Sequence, residues 1–138
     1  MTGTARLLAA SGAVLALVGV GLGAFGAHVL EVRLSPADLA TFETAVRYQM
    51  YHALGLLGVA WLHDRTGSAL AGRGGWLLVA GTAVFSGSLY VLVLTGARWL
   101  GAVTPVGGVM QLAGWLLVVA GLLRRRAGEK VPSSTEKE

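Results

Sequence analysis

The chain has 138 residues, of which 54% are hydrophobic and 13% are charged, with a net charge of +4 and no cysteine. A charged fraction about half that of a typical soluble domain argues against a soluble fold. The lack of cysteine excludes disulfides, thiolate metal sites and cysteine nucleophiles. The basic residues flank apolar segments and form no single basic face, so we expect no nucleic-acid partner.

Four apolar segments predict four membrane-spanning helices, at about 7–29, 45–62, 75–96 and 101–123. Uncharged, largely apolar runs longer than roughly 18 residues are typical of such helices. The second segment is shorter in its uncharged part, so a helix that crosses there must begin earlier and carry Arg47 to the membrane edge. We therefore expect one all-α integral membrane domain over 1–126, a bundle of four transmembrane helices. The polar residues 127–138 predict a disordered tail.

The ends of the first segment raise two further points. Arg6 and the small-x-small pattern Ala24-Phe25-Gly26 resemble parts of a signal peptide, but the apolar run is long for that class, so we expect a retained helix. After this segment, Ser35 followed by Pro36 is typical of a helix start. This pair predicts a short interfacial helix over 36–44, either separate from the second span or continuous with it.

The distribution of basic residues predicts the orientation. Four spans place both termini on one side, and eight of the eleven Lys and Arg residues then lie on that side, with only Arg33, Arg47 and Arg98 opposite. Because cytoplasmic loops carry the excess of positive charge, we expect both termini in the cytoplasm of a bacterial-type inner (plasma) membrane.

Glycines in the first two spans predict close helix packing. The pattern Gly21-x-Gly23-x-x-Gly26 matches a dinucleotide fingerprint, but it lies inside an apolar helix without the required strand, so we exclude that function. Small residues spaced along one helix face instead let membrane helices approach closely, within one bundle or between subunits. The predicted packing residues are Gly12, Gly19, Gly23, Gly26, Gly55 and Gly58.

A polar cluster at the start of the second span is the candidate ligand-binding site, and it comprises Glu43, Arg47, Tyr48, Tyr51 and His52. On a helix, Glu43, Arg47 and Tyr51 share a face. We expect this face to point into the bundle, because charges within a membrane tend to face inward and pair. Two structural alternatives stay open: a Glu43–Arg47 clasp, or two side chains that both reach out to water.

No catalytic or metal constellation emerges from the sequence. His28 and His63 lie near the ends of their spans on opposite sides of the predicted membrane, so no histidine pair has metal-ligand spacing. Ser86 and Ser88 have no nucleophile motif around them, and we expect them to form hydrogen bonds within or between helices. Gln111 is a lone polar group in the fourth span, and we expect an interhelical partner for it. We expect no cofactor, no metal and no enzymatic activity.

Three blocks of the sequence resemble a known family: GAFGAH at 23–28, FETAVRYQMYHALGLL at 42–57, and WLGAVTPVGG at 99–108 followed by GW at 114–115. The family is that of domain of unknown function 423, which includes transmembrane protein 256 and many bacterial inner-membrane proteins. The resemblance implies a four-span helical membrane protein of about this length, and it implies no reaction. Its signature residues in this chain are Gly23, Gly26, His28, Glu43, Arg47, Tyr48, Gln49, Tyr51, His52, Thr104 and Pro105.

The expected function is that of a non-enzymatic, structural or lipid- or partner-binding helical bundle. Its partners would be membrane lipids and either further copies of the chain or another membrane protein. The alternative is a subunit of a small transporter or channel. This transporter would have to be oligomeric, because four short spans leave little room for a lumen in one protomer.

Overall fold

The structure is a computed structural model that describes residues 1–128, and all of its regular elements are helical. Helix α1 covers Gly3–Phe25 and continues into one π-helical turn, Gly26–Leu30. Helix α2 covers Pro36–Thr66 and helix α3 covers Ala69–Thr95. A short 3₁₀ helix, Arg98–Ala102, leads into helix α4, Thr104–Gly128.

Residues at the helix ends explain these boundaries. The side chains of Thr2, Ser35 and Ser68 each accept a hydrogen bond from the backbone N–H three residues further on, which caps α1, α2 and α3. Gly67 and Gly96 follow α2 and α3 with φ of 63° and 73°, a left-handed conformation that glycine adopts without a steric penalty.

The four long helices pack side by side with short connections. Helix α1 packs mainly on α2, α2 packs on α3, and α3 packs on α4. At one end, the Thr2 N–H donates to Asp64 Oδ1 at 2.7 Å, and Gly121 of α4 lies against Ser68. We call this the terminal end. The opposite end, called the distal end, carries the α1–α2 connection and the 3₁₀ helix.

Two apolar clusters fill the interior. One lies toward the terminal end and the other toward the distal end, and α2 and α3 contribute to both. The first contains Leu8, Leu56, Val59, Ala60, Leu78 and Val118, and the second contains Leu30, Phe42, Leu92 and Val93.

Glycines bring α3 and α4 into backbone contact. A Cβ atom built on Gly74 would lie 2.6 Å from the carbonyl oxygen of Gly114, and one built on Gly107 would lie 2.7 Å from Phe85 Cα. Real side chains do not fit at such distances, so this interface depends on residues without a Cβ atom. Close approach through small residues is typical of membrane helices.

The predicted all-α membrane fold is confirmed for three segments. Within the described residues, Gly3–Leu30, Ala69–Thr95 and Arg98–Arg124 are long and apolar enough to cross a membrane. Helix α2 is not among them, because polar residues such as Arg47, Gln49 and His52 interrupt its apolar sequence. The short interfacial helix over 36–44 does not form a separate element. No glycine or proline interrupts the chain after Pro36 until Gly55, so one helix runs through. Of the predicted disordered tail, 127–138, the first two residues belong to the end of α4, and 129–138 lie outside the described residues.

Candidate functional site

The charged face of α2 points outward. Glu43, Arg47 and Tyr51 are exposed, and Gly58, further along this face, has no atom within 4 Å of a Cβ built on it. The expectation that this face points into the bundle was therefore wrong. The buried stripe of α2 is the adjoining one, which contains Phe42, Ala45, Gln49, His52, Ala53 and Leu56. This stripe holds the side chains that contact α1 and α3, including the hydrogen-bonded amide of Gln49, so helix packing and interhelical hydrogen bonds determine how α2 is rotated.

Glu43 and Arg47 do not form a clasp. Among the described side chains, those of residues 1–124, the ion pairs join the amino terminus to Asp64 and Arg98 to Asp38. Both Glu43 and Arg47 are therefore available to other partners, although they stand one helical turn apart on the same helix.

These two side chains line a pocket of about 250 Å³ between α1 and α2 near the distal end. The α1 side contributes small residues only, and the α2 side contributes two charged and two apolar residues. The lining consists of Gly23, Gly26, Ala27, Phe42, Glu43, Val46 and Arg47. A Cβ built on Gly26 would lie 3.3 Å from the Phe42 ring, and one on Gly23 would lie 3.5 Å from Val46 Cγ1. The glycines thus let α1 pack closely on Phe42 and Val46 of α2, and the pocket lies beside this contact.

The other three members of the predicted cluster lie elsewhere. Tyr48 packs its ring against Phe85 at 4.8 Å between centroids, and it stacks on His52 at 6.4 Å. His52 is buried, and its Nδ1 lies 2.7 Å from the Tyr48 carbonyl oxygen, while the Tyr51 ring is 60% exposed. The sequence grouped five residues, but the structure separates Glu43 and Arg47, which line the pocket, from Tyr48 and His52 on another side of α2, and Tyr51 is exposed on the charged face outside the pocket.

The glycines of α1 pack within the chain. A Cβ on Gly12 would lie 2.7 Å from the Ala53 carbonyl oxygen, and one on Gly19 would lie 2.6 Å from Met50 Sδ. On α2, a Cβ built on Gly55 would lie 2.9 Å from the Trp115 ring of α4. The α1 stripe therefore faces α2 of the same chain.

The sequence analysis did not predict the contacts of Gln49, a buried polar residue of α2. It is 3% exposed, its Nε2 donates to the Leu15 carbonyl oxygen at 2.8 Å, and its Oε1 accepts from the Tyr90 hydroxyl at 2.8 Å. The available signal was its position in the apolar stripe of α2, where an amide must find partners inside the protein.

The other buried polar side chains of the helices differ in whether they have a hydrogen-bond partner. Ser86 donates to the Ala45 carbonyl oxygen, and Ser88 exchanges a hydrogen bond with Thr104, as expected for serines between helices. Gln111 Nε2 and Thr82 Oγ1 are buried without a hydrogen-bond partner in the described part of the chain. The expected interhelical partner of Gln111 is thus absent there.

A second missed contact, at the distal end, joins the first turn of α2 to the 3₁₀ helix. Arg98 donates two hydrogen bonds to Asp38, at 2.7 and 3.2 Å. These bonds, together with the Ser35 hydroxyl, hold the pKa of the Asp38 carboxyl below its usual value. The pair ties the start of α2 to the 3₁₀ helix. Residues 1–128 contain no group of three or more His, Asp or Glu side chains placed to hold a metal ion.

Long apolar helices joined by short connections, with glycines at their contacts, define a polytopic α-helical membrane protein. The family described as "Protein of unknown function (DUF423)" matches residues 22–108, and the chain belongs to this family. No solved structure matches the chain.

The chain is also similar to several bacterial membrane proteins. It is 50% identical to the UPF0382 membrane protein SSP2132 of Staphylococcus saprophyticus over 82% of this chain and 93% of that protein. It is 47% identical to the UPF0382 membrane protein YwdK of Bacillus subtilis over the same shares. It is 40% identical to the UPF0382 inner membrane protein YgdD of Escherichia coli over 88% of this chain and 92% of that protein. These relatives agree with the expected family and with a location in a membrane.

Proposed function

We propose that this chain is a non-enzymatic membrane protein that binds the phosphate-bearing headgroup of a phospholipid in the pocket between α1 and α2. The observation that carries the proposal is Arg47, which lines this pocket and has no ion-pair partner among the described side chains of residues 1–124. A guanidinium presents several N–H donors in a planar fork that matches the oxygens of a phosphate group.

The surroundings of Arg47 support a lipid rather than a soluble anion. Phe42 and Val46 give the pocket an apolar wall, and Gly23, Gly26 and Ala27 line it from the side of α1. Apolar side chains exposed on α1 include Leu17 at 75% and Val20 at 64%, which suits contact with acyl chains. A charged headgroup and apolar chains would thus meet matching surfaces.

The proposal includes four membrane crossings with both termini in the cytoplasm. Helix α2 lies between α1 and α3, which are both long and apolar enough to span, and the terminal end collects both Thr2 and the last turns of α4. The excess of basic residues on that side supports the orientation. A fluorescent protein fused after residue 138 should fluoresce, and alkaline phosphatase there should be inactive. Active phosphatase at this position would overturn the topology.

The lipid proposal is tested by native mass spectrometry of the gently solubilised protein. We expect phospholipid adducts on the wild type, their loss in Arg47→Gln, and their retention in Arg33→Gln. Arg33 is the matched control, since it is exposed at the distal end outside the pocket. Circular dichroism would verify that each variant is folded. Equal phospholipid adducts on wild type and Arg47→Gln would overturn the proposal. A solute flux in proteoliposomes that Arg47→Gln abolishes would also overturn it and would favour the transporter alternative.

A further inference from the structure

We infer that the preferred occupant of the pocket is a zwitterionic phospholipid headgroup with a primary amine, namely phosphoethanolamine. Arg47 binds its phosphate and Glu43 binds its ammonium group. This inference rests on the proposed lipid-binding function and names the ligand class of the same site.

The first argument is charge complementarity. The pocket wall carries one cation and one anion, and the two do not pair with each other. An anionic headgroup would satisfy Arg47 but would place a second negative charge near Glu43, which is unfavourable. A zwitterion compensates both residues at once.

The second argument is spacing. Glu43 and Arg47 are four residues apart on α2, so their backbones are separated by about 6 Å along the helix axis. Phosphate and ammonium in phosphoethanolamine are joined by a two-carbon linker. This headgroup can therefore lie along one turn of α2 with one charge at each side chain.

The third argument distinguishes amines. A primary ammonium donates hydrogen bonds to a carboxylate, whereas the quaternary ammonium of choline has no N–H to donate. The opposite wall is Gly23, Gly26 and Ala27, which supply no side-chain donor or acceptor of their own. Recognition of the amine is thus left to Glu43.

The experiment measures binding of three lipids with identical acyl chains to the full-length protein in detergent micelles. The lipids carry ethanolamine, choline or glycerol headgroups, and mono- and dimethylated ethanolamine provide intermediate steps. We expect the wild type to bind the ethanolamine lipid about tenfold more tightly than the other two parent lipids, a difference typical of one or two charge-assisted hydrogen bonds.

The variants separate the two residues. Glu43→Gln should lose the preference for ethanolamine and bind the glycerol lipid more tightly, because the repulsion is removed. Arg47→Gln should weaken the binding of all three lipids to a similar extent. Glu31→Gln is the matched control, since Glu31 is exposed near the distal end and does not line the pocket, and it should behave as wild type.

The outcomes distinguish this inference from the proposed function. If all three lipids bind wild type equally, or if Glu43→Gln keeps the ethanolamine preference, the inference fails and lipid binding stands. If none of the lipids binds, or if Arg47→Gln binds all of them as wild type does, the proposed function fails.

Discussion

The Tyr90 hydroxyl donates to Gln49 Oε1 at 2.8 Å, and the same amide donates through Nε2 to the Leu15 carbonyl oxygen at 2.8 Å. One buried side chain of α2 therefore joins α3 on one side and α1 on the other. Because lipid offers no competing hydrogen-bond partners, such an amide fixes the relative position of three helices.

Replacing Gln49 by leucine should destabilise the protein by about 1 kcal/mol, since interhelical hydrogen bonds in membranes contribute about 0.6 kcal/mol each. Tyr90→Phe removes only one of the two bonds and should have about half this effect. Unfolding in increasing dodecyl sulfate, followed by circular dichroism, measures both variants and their double mutant. Additive effects of the two substitutions would contradict a direct Gln49–Tyr90 bond.

Gly107→Ala should destabilise the protein by about 1–3 kcal/mol, because the added methyl group overlaps the backbone of Phe85 and forces α3 and α4 apart. Unfolding in increasing dodecyl sulfate, followed by circular dichroism, measures this loss of stability. Gly87→Ala is the matched control, since nothing lies within 4 Å of a Cβ built there, and alanine favours a helix over glycine by up to about 1 kcal/mol. Equal losses at both positions would argue against the close α3–α4 contact.

The Asp38–Arg98 pair makes stability depend on pH. Its hydrogen bonds lower the pKa of Asp38 from the ordinary value of 3.8, so the folded state binds fewer protons at this site than the unfolded state. The stabilisation is therefore complete above this value and is lost as the pH falls through the lower, folded pKa. We expect wild type to melt at a higher temperature than Asp38→Asn near neutral pH, and the gap to close in strong acid. A gap that stays constant with pH would contradict the pair.

Thr82→Val should stabilise the protein slightly or leave it unchanged. Thr82 Oγ1 is buried without a partner in the described part of the chain, and an unsatisfied buried hydroxyl is unfavourable by about 1–3 kcal/mol. Ser86→Ala is the comparison, because it removes a hydroxyl that donates to the Ala45 carbonyl oxygen at 2.8 Å and should reduce stability. A clear loss of stability in Thr82→Val would contradict the unsatisfied state of this hydroxyl.

Much of the fold could be predicted from local patterns. Uncharged runs located the three apolar spans, and Ser35 with Pro36 located the start of α2. These signals act within one helix or one turn, so they need no knowledge of the neighbours.

The rotation of α2 could not be predicted in the same way. Its charged face and its apolar stripe both offer a plausible inward side, and the rule that charges face inward weakens near a membrane edge, where long side chains reach water. Only the packing partners on α1 and α3 decide between the two faces. Likewise, Asp38 and Arg98 are 60 residues apart, and no local pattern links them.

Close contacts hold α1 against α2 along its length. A Cβ built on Gly12 would lie 2.7 Å from the Ala53 carbonyl oxygen, and Gln49 donates to the Leu15 carbonyl oxygen. The pocket lies beyond these contacts, between the same two helices. Its walls are therefore preorganised, so a headgroup could bind there without a rearrangement of the helices and without the loss of affinity that such ordering causes.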